Sequence, residues 1–421
     1  MTVASTKRIV ALGALFLCTV FSTVLAQEQC CLAQGLEVAD EYRMAGLDDR
    51  RFNHATYWSV LEPLLTSDRV FLTELGYSIQ GRAINAVTFG QGSTRVLLWS
   101  QMHGNESTAS MSLADLINFF ATSDDGLTSF LASRLTITMI PMLNPDGAEL
   151  FIRENALGVD VNRDARVVAT PEGQILKRVR DSLQADFGFN LHDQGSRTAG
   201  DSGLLVAIAL LAPAADEERS WGPGRLRARK VAAVIAETLT PEIPGRMARY
   251  NDAYAPRAFG DRMQQWGTST VLIESGALPD DPQKQRLRAI NVAGLLSALY
   301  AIAQDSLDYV DDMAYERLPN NRGVGNDLLL LGGKVVIGSG PPIRADLAIT
   351  FDDAVAKTGA RYGEVGDLAD VIAMDTVDVT GLYIFPDLPD GILRRGTPAV
   401  LRVMREADPG SELVWELTED Q

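Results

Sequence analysis

The feature of this sequence that most constrains its fold is an alternation of strand-like and helix-like segments between about Tyr57 and Gln304. Short apolar runs with the character of buried strands alternate with longer segments whose apolar residues recur at helical spacing. The predicted strands are residues 95–99, 135–141, 187–191, 204–211 and 268–273, and the predicted helices are residues 110–121, 172–186, 226–240 and 282–303. This alternation predicts an α/β fold with an open sheet flanked by helices, in which ligands bind beyond the carboxyl ends of the strands.

Two residues that can bind a metal follow the first predicted strand. His103 and Glu106 lie on the turn between that strand and the next helix, and an imidazole and a carboxylate three positions apart can converge on one ion. The chain has only three histidines, His54, His103 and His192, and His192 directly follows the predicted strand 187–191. We predict that His103, Glu106 and His192 bind one Zn²⁺ ion and leave a fourth position open. Taken alone, the His-x-x-Glu spacing is also compatible with a chance pair of surface residues.

The length of 421 residues suits a large α/β domain followed by a smaller one. We predict an extended N-terminal arm over residues 27–56, the α/β domain over residues 57–305 and a β-rich domain over residues 326–421. The last region has short apolar runs separated by Gly, Pro and Asp, which is typical of β structure. It contains no His and no Cys, so it offers no set of metal ligands or nucleophile with its base, and we expect a packing or binding role for it.

The first 26 residues have the pattern of a secretory signal peptide. Lys7 and Arg8 precede an apolar run from Ile9 to Ala26, and a small residue stands where cleavage is expected. We predict that the chain is exported to a periplasmic, extracellular or surface-associated location and that the mature chain has no membrane span. The alternative is that the apolar run is retained as an anchor, because its length approaches that of a span.

The three cysteines predict no disulfide framework. Cys18 lies within the predicted signal peptide, and the neighbours Cys30 and Cys31 could bridge each other only with strain. No convincing lipobox precedes Cys18 or Cys30, so a lipid anchor is a minor alternative.

The chain is strongly acidic. Its formal net charge of −17 becomes about −19 when the two cations of the predicted signal peptide are removed. An acidic surface repels the phosphates of nucleic acids, so we do not expect nucleic acid as a partner.

Four further sequence fragments accompany the predicted metal ligands. They are Asn-Pro-Asp-Gly at residues 144–147, Arg-Glu-Asn-Ala-Leu-Gly-Val-Asp-Val-Asn-Arg at 153–163, Leu-His-Asp-Gln at 191–194 and Ile-Glu-Ser-Gly at 273–276. In this order, and together with the His-x-x-Glu fragment, they resemble the zinc carboxypeptidase family, the carboxypeptidase A-like metallopeptidases. Each fragment is a weak signal, whereas the joint pattern is highly specific. The resemblance covers residues 42–304 and implies an open mixed sheet flanked by helices.

The resemblance also implies roles for residues beside the metal ligands. Glu274 matches the general base that takes a proton from the attacking water and passes it to the leaving nitrogen. Arg153 matches the residue that stabilises the developing oxyanion. Asn162 and Arg163 match the pair that binds the terminal carboxylate of the substrate, for which a guanidinium group is geometrically suited.

The resemblance also implies a tyrosine that covers the substrate, and two acids of this chain differ from the residues common in relatives. Tyr254 is the best placed tyrosine before Glu274 to match the family's mobile capping tyrosine, and Tyr250 remains the alternative. Where many relatives have a small residue after the second histidine, this chain has Asp193, and where many have Asn after the Asn-Arg pair it has Asp164. The additional acids could favour a basic or amine-bearing ligand, or Asp193 could orient a metal ligand.

The function implied by the resemblance is that of an exported zinc-dependent metallocarboxypeptidase, which hydrolyses C-terminal peptide bonds of a peptide or peptide-like substrate. An alternative with the same site is a zinc-dependent amidase or deacylase that acts on cell-wall peptides or small amides. A non-catalytic zinc-bearing binding protein is a minor alternative, disfavoured because both Glu274 and Arg153 are present.

Overall fold

The computed structural model of the protein describes residues 32–322, 326–352 and 357–418. The predicted signal peptide, residues 1–26, and all three cysteines lie outside the described residues.

The helices of the described chain precede its last hundred residues. They are α1 (32–41), α2 (His54–Leu61), α3 (Thr108–Thr122), α4 (Gly126–Arg134), α5 (Pro145–Leu150), α6 (Pro171–Leu183), α7 (Pro223–Leu239), α8 (Phe259–Gln265), α9 (Gln285–Ala303) and α10 (Met313–Glu316). The strands of the same part are β1 (Val70–Tyr77), β2 (Ala83–Phe89), β3 (Thr94–Trp99), β4 (Leu135–Ile140), β5 (Phe187–Asp193), β6 (Thr198–Ala199), β7 (Ile208–Leu211), β8 (Met247–Arg249), β9 (Ser269–Ser275) and β10 (Asn321–Arg322).

An eight-stranded sheet forms the centre of the molecule, in the order β1-β2-β4-β3-β5-β9-β7-β8. The four central strands β4, β3, β5 and β9 are parallel, whereas β2 and β7 run antiparallel to their neighbours β4 and β9. The carboxyl ends of β3, β5 and β9 therefore meet at one edge of the sheet. The predicted open mixed sheet flanked by helices is confirmed.

Both faces of the sheet are covered by helices, and strand β3 buries apolar residues on each face. In β3, Val96 and Leu98 pack into the large hydrophobic cluster that contains residues of α3, α7 and α9. Leu97 and Trp99 face the opposite side, where α6 and α8 pack. By length and composition α9 could cross a membrane, but 83% of its most apolar window is buried inside the protein. Its apolar character is therefore explained by its position between α3 and α7.

The N-terminal arm differs from the extended conformation predicted for it, because residues 32–41 form a helix. Val38 and Ala39 on this helix belong to the large hydrophobic cluster of the sheet. A Cβ atom on Gly35 would lie 2.7 Å from the Cα atom of Ala293, so the glycine allows α1 to lie directly against α9. Burial of one apolar side of the segment outweighs the polar character that suggested an extended arm.

The predicted elements are present, with shifts at their ends. Strands β5 and β9 continue to Asp193 and Ser275, so His192 and Glu274 lie on strands and not just after them. The ladder between the two strands extends beyond their apolar residues and includes the pair His192 and Glu274. The predicted strand 204–211 is shorter than expected and contains only Ile208–Leu211.

The described residues after 325 form two sheets that share one hydrophobic cluster. The first sheet has the order β15-β14-β11-β16, with β11 (Asn326–Leu331), β14 (Asp346–Thr350), β15 (Arg361–Gly366) and β16 (Ala373–Asp378). The second has the order β13-β12-β17-β18-β19, with β12 (Lys334–Val335), β13 (Ile343–Arg344), β17 (Tyr383–Pro386), β18 (Leu401–Met404) and β19 (Leu413–Leu417). We call these strands the C-terminal β region.

Candidate metal centre

The turn after β3 carries His103 and depends on two unusual positions. Gln101 has a left-handed φ of 51°, and its side-chain amide donates a hydrogen bond to the carbonyl oxygen of Gly104 at 2.9 Å. A Cβ atom on Gly104 would lie 1.9 Å from the carbonyl carbon of Gly147, which only a glycine avoids. The turn therefore packs directly against the loop that follows β4.

His103, Glu106 and His192 meet at the carboxyl edge of the sheet. The Nδ1 atoms of the two histidines each lie 2.7 Å from one oxygen of the Glu106 carboxylate. One ligand atom from each residue lies within 4.8 Å of the other two, and all three side chains are buried. Two imidazole nitrogens and one carboxylate oxygen form a donor set that suits a catalytic metal ion with an open position. The structure thus brings together the three predicted ligands.

Asp160 fixes the orientation of His103. Its Oδ1 atom lies 3.0 Å from Nε2 of His103, and its other oxygen accepts hydrogen bonds from Arg153. A hydrogen bond at Nε2 leaves Nδ1 as the nitrogen that faces the metal position. Asp160 was not among the predicted site residues, although it lies within the fragment 153–163 that supports the resemblance.

We expect Asp160→Asn to weaken metal binding by about 10- to 100-fold, since partners of this kind typically contribute that much to metal affinity. The amide no longer favours the tautomer of His103 that places a lone pair on Nδ1. Competition with a metal-binding dye measures the change. The exposed substitution Asp370→Asn is the control and should bind metal like the wild type. Unchanged affinity in Asp160→Asn would show that His103 does not depend on this carboxylate.

The two histidines have different proton affinities. Burial lowers the pKa of both imidazoles and leaves that of His192 below its ordinary value. The pKa of His103 is nevertheless raised, because the carboxylates of Glu106 and Asp160 favour its protonated form. Burial opposes ionisation of Glu106, but the neighbouring histidines hold its pKa well below the ordinary range. Of the two histidines, His103 therefore has the greater affinity for a proton, which competes with metal binding.

Glu274 is buried beside the metal ligands and is not part of their hydrogen-bonded group. Burial raises its pKa well above the ordinary value, and the negative charges of Glu106 and Asp193 add to the effect. A cation bound nearby would lower the pKa of Glu274. A carboxylate with a raised pKa next to a metal position is suited to accept and donate a proton.

Three side chains that were predicted to contact the substrate, two arginines and one asparagine, lie around the proposed metal ligands. Arg153 donates a hydrogen bond to Glu106 at 3.2 Å. Asn162 places its amide nitrogen 3.4 Å from Nε2 of His192 and accepts a hydrogen bond from the backbone of Phe259. Arg163 donates to the carbonyl oxygen of Asn162 at 2.8 Å and is otherwise exposed. All three line the same cavity as the metal ligands.

This cavity has a volume of about 920 Å³. Tyr250 lines it, whereas Tyr254 is not among the described residues that do. The structure thus places the alternative tyrosine, and not Tyr254, in the cavity. Burial raises the pKa of Tyr250, and the negative charge of Glu274 adds to that effect.

Two further acids and a lysine line the cavity. Asp193 accepts hydrogen bonds from Thr108 at 2.6 Å and from Lys284 at 3.1 Å, so it ties β5 to the residue before α9. Asp261 lies in the first turn of α8, and burial raises its pKa to about 6. Sequence reasoning singled out Asp193 but missed Lys284 and Asp261, because neither belongs to a fragment with a recognisable spacing.

The fragment 144–147 has a structural role in the described chain. Asn144 caps α5 by accepting a hydrogen bond from the backbone of Gly147 at 2.9 Å, and it donates to the carbonyl oxygen of Met102. Asp146 accepts hydrogen bonds from Ser78 and Arg82, both at 2.7 Å. These contacts hold the loops around His103 in place.

Comparison with known proteins relates the first part of this fold to one family. Residues 61–196 match the family model described as zinc carboxypeptidase. An uncharacterised protein of Zymomonas mobilis is 26% identical over 122 residues, which are 28% of this chain and 32% of that protein. The match thus spans about a third of the length of this relative.

Solved structures are similar at the level of the fold. The carboxypeptidase A of Helicoverpa armigera superposes with a TM-score of 0.50 and 16% sequence identity, covering 65% of this chain and 82% of that one. A metallo-carboxypeptidase from Burkholderia cenocepacia has a TM-score of 0.47 and 19% identity, covering 59% and 70% of the two chains. The order of the motifs, the mixed sheet and the family match over residues 61–196 agree. Residues 61–196 of this chain are thus similar in sequence to the zinc carboxypeptidase family.

Proposed function

We propose that the protein is a zinc-dependent metallocarboxypeptidase that removes C-terminal residues from peptides. The observation that carries the proposal is the content of one cavity. It holds a buried two-histidine, one-carboxylate group, a separate carboxylate in Glu274 and an exposed guanidinium group in Arg163. A metal site, a proton acceptor and a cation for a terminal carboxylate are the parts that this reaction requires.

The residues present fit one zinc ion. His103, Glu106 and His192 would bind it, because their ligand atoms already converge and Asp160 holds His103 in the required orientation. The chemistry that zinc supplies in such sites is Lewis acidity, which lowers the pKa of water toward about 7 and polarises a carbonyl group.

Glu274 would carry the proton in this reaction. Its carboxylate takes a proton from the attacking water and delivers it to the nitrogen of the leaving residue. Arg153 places a positive charge next to Glu106, where negative charge develops on the carbonyl oxygen of the substrate. Because Arg153 also pairs with Asp160, its guanidinium group is held in place before substrate arrives.

Arg163 and Asn162 would bind the terminal carboxylate. One nitrogen of Arg163 donates to the backbone of Asn162, and the rest of the guanidinium group faces the cavity and solvent. A planar guanidinium group can donate two parallel hydrogen bonds to a carboxylate, which an amide group at the end of a peptide cannot accept in the same way.

This role predicts a strong dependence on a free carboxyl terminus. We expect kcat/KM to fall by about 10- to 100-fold when the peptide is amidated, and by a similar factor for the free acid in Arg163→Met, since a hydrogen bond to a charged group contributes about 1.5 to 3 kcal/mol. Steady-state assays on a matched pair of peptides measure both changes. Arg166→Met, an exposed arginine three residues away, is the control.

The same assay separates the alternatives. Equal hydrolysis of free and amidated peptides would favour an amidase or deacylase with the same metal site. Undiminished activity after removal of all metal by a chelator would exclude a metallopeptidase altogether.

We further propose that residues 1–26 direct export and are removed. The supporting observation is the charged start and apolar run of this segment. Sequencing of the N-terminus of the protein from the exported fraction tests it, and a chain retained in the cytoplasm with its first 26 residues would contradict it.

A further inference from the structure

The cavity that contains the candidate metal ligands extends onto the C-terminal β region. Asp327 and Leu328 of β11, Phe351 directly after β14 and Met374 of β16 line it. One wall of the cavity is therefore formed by residues outside the part of the chain that matches the family model.

This wall is attached directly to the strand that carries His192. Strand β10 pairs with β6, which follows β5. The side-chain amide of Asn321 donates to Gln194 at 2.6 Å, and the hydroxyl group of Ser196 donates to Asp327 at 3.4 Å. The position of Asp327 is thus coupled to the residues that immediately follow His192.

Asp327 differs from the other acids of the wall in its partners. Asp352 forms an ion pair with Arg361 at 3.1 Å, and Asp375 forms one with Lys357 at 3.4 Å. Among the described residues, the hydrogen-bond donors to Asp327 are neutral: the backbone of Phe351 at 2.7 Å and the hydroxyl group of Ser196. In the described part of the chain no cationic side chain lies within 4 Å of it, and Arg197, which follows Ser196, forms no ion pair with it.

The environment of Asp327 favours a cation. Its side chain is only partly exposed, and burial raises its pKa, which means that the charged form lacks part of the stabilisation it has in water. A positively charged group that hydrogen-bonds to the carboxylate would restore that stabilisation.

A second acid in the same cavity also has an unused acceptor. Asp193 is 8% exposed, and its Oδ1 atom is buried without a hydrogen-bond partner in the described structure. Its other oxygen already accepts hydrogen bonds from Thr108 and Lys284. Buried carboxylate oxygens usually have a hydrogen-bond partner, so this oxygen is a further acceptor among the residues that line the cavity.

We propose that the C-terminal β region is part of the substrate-binding site and that Asp327 binds an ammonium or guanidinium group of the substrate. The substrate would then carry this cationic group in addition to the terminal carboxylate bound by Arg163. The inference rests on the proposed function for the identity of the substrate as a peptide. A substrate-binding role for Asp327 would account for the contacts between the C-terminal β region and the residues that follow His192.

The test compares peptides that differ only in one charge. In each set, lysine at one of the last three positions is replaced by norleucine, which keeps the length of the side chain but removes the ammonium group. Binding is measured by calorimetry with the full-length protein, using analogues whose last amide is a ketomethylene group, so that no turnover is needed. The ratio of kcat/KM values is then measured for the cleavable peptides.

At one position at least, we expect the lysine peptide to bind about tenfold or more tightly than its norleucine partner, as for a charge-assisted hydrogen bond. Asp327→Asn should reduce this ratio to near one. Asp378→Asn is the matched control, because Asp378 is exposed, also accepts a backbone hydrogen bond and lies outside the cavity lining. The Asp378→Asn variant should keep the wild-type preference for the lysine peptide over the norleucine peptide.

The outcomes separate this inference from the proposed function. Hydrolysis of both peptides without a preference, or with a preference that Asp327→Asn retains, overturns the role of Asp327 and leaves the carboxypeptidase activity standing. Preferential binding that depends on Asp327, without hydrolysis of any peptide, supports the role of Asp327 and overturns the proposed activity.

Discussion

Replacement of Glu274 by glutamine is expected to lower kcat by about 10² to 10⁴-fold while the metal stays bound, as is typical for loss of a general base. The amide has nearly the shape of the carboxylate but cannot accept the proton of the attacking water. Because Glu274 is not one of the three converging ligands, metal content should remain that of the wild type. The loss should appear in kcat much more than in KM, since the substrate still binds.

Steady-state kinetics together with metal analysis of the purified variant measure both quantities. Glu217→Gln, an exposed change of the same kind, should have no effect. Loss of metal from Glu274→Gln would contradict the separation between the metal ligands and the base.

Replacement of Glu106 by glutamine should primarily weaken the binding of zinc. Each oxygen of this carboxylate contacts one histidine Nδ1 atom, and together they also accept hydrogen bonds from Arg153 and the backbone of Asp193. A neutral amide is a poorer zinc ligand and places an NH₂ group where an acceptor is needed. We expect zinc affinity to fall by more than about 100-fold, beyond the typical effect of losing a partner outside the ligand set.

Zinc titration with a competing chelator measures this change, and activity at saturating zinc shows how much of the lost function returns. Recovery of a large part of the activity at high zinc would place Glu106 in metal binding alone. Wild-type affinity in Glu106→Gln would contradict its assignment as a ligand.

The two glutamates illustrate what sequence alone could establish. The alternation of strand-like and helix-like runs predicts the fold, whereas the assignment of His103, Glu106, His192 and Glu274 also needed the joint pattern of motifs that resembles the zinc carboxypeptidase family. These positions converge because they lie at the carboxyl ends of adjacent parallel strands, which the alternation of elements already implies.

The remaining features depend on long-range contacts that no local pattern encodes. The choice between Tyr250 and Tyr254 depends on the path of the loop after β8, and sequence spacing did not decide it. The helical arm was missed because its burial against α9 involves residues far apart in sequence. The wall that includes Asp327 was unpredictable for the same reason, since Ser196 and Asp327 meet only in the folded chain.

The pairing of β6 with β10 has a consequence for the order in which the protein becomes complete during synthesis. A growing chain that has reached α9 already contains all the metal ligands and Glu274, but it lacks Asn321 and Arg322, which pair with Ala199 and Thr198. The loop that follows His192 acquires its neighbouring strand only after that point. The cavity of this protein can therefore take its final shape only once residues 321 and 322 have been made, after all the metal ligands are already present in the chain.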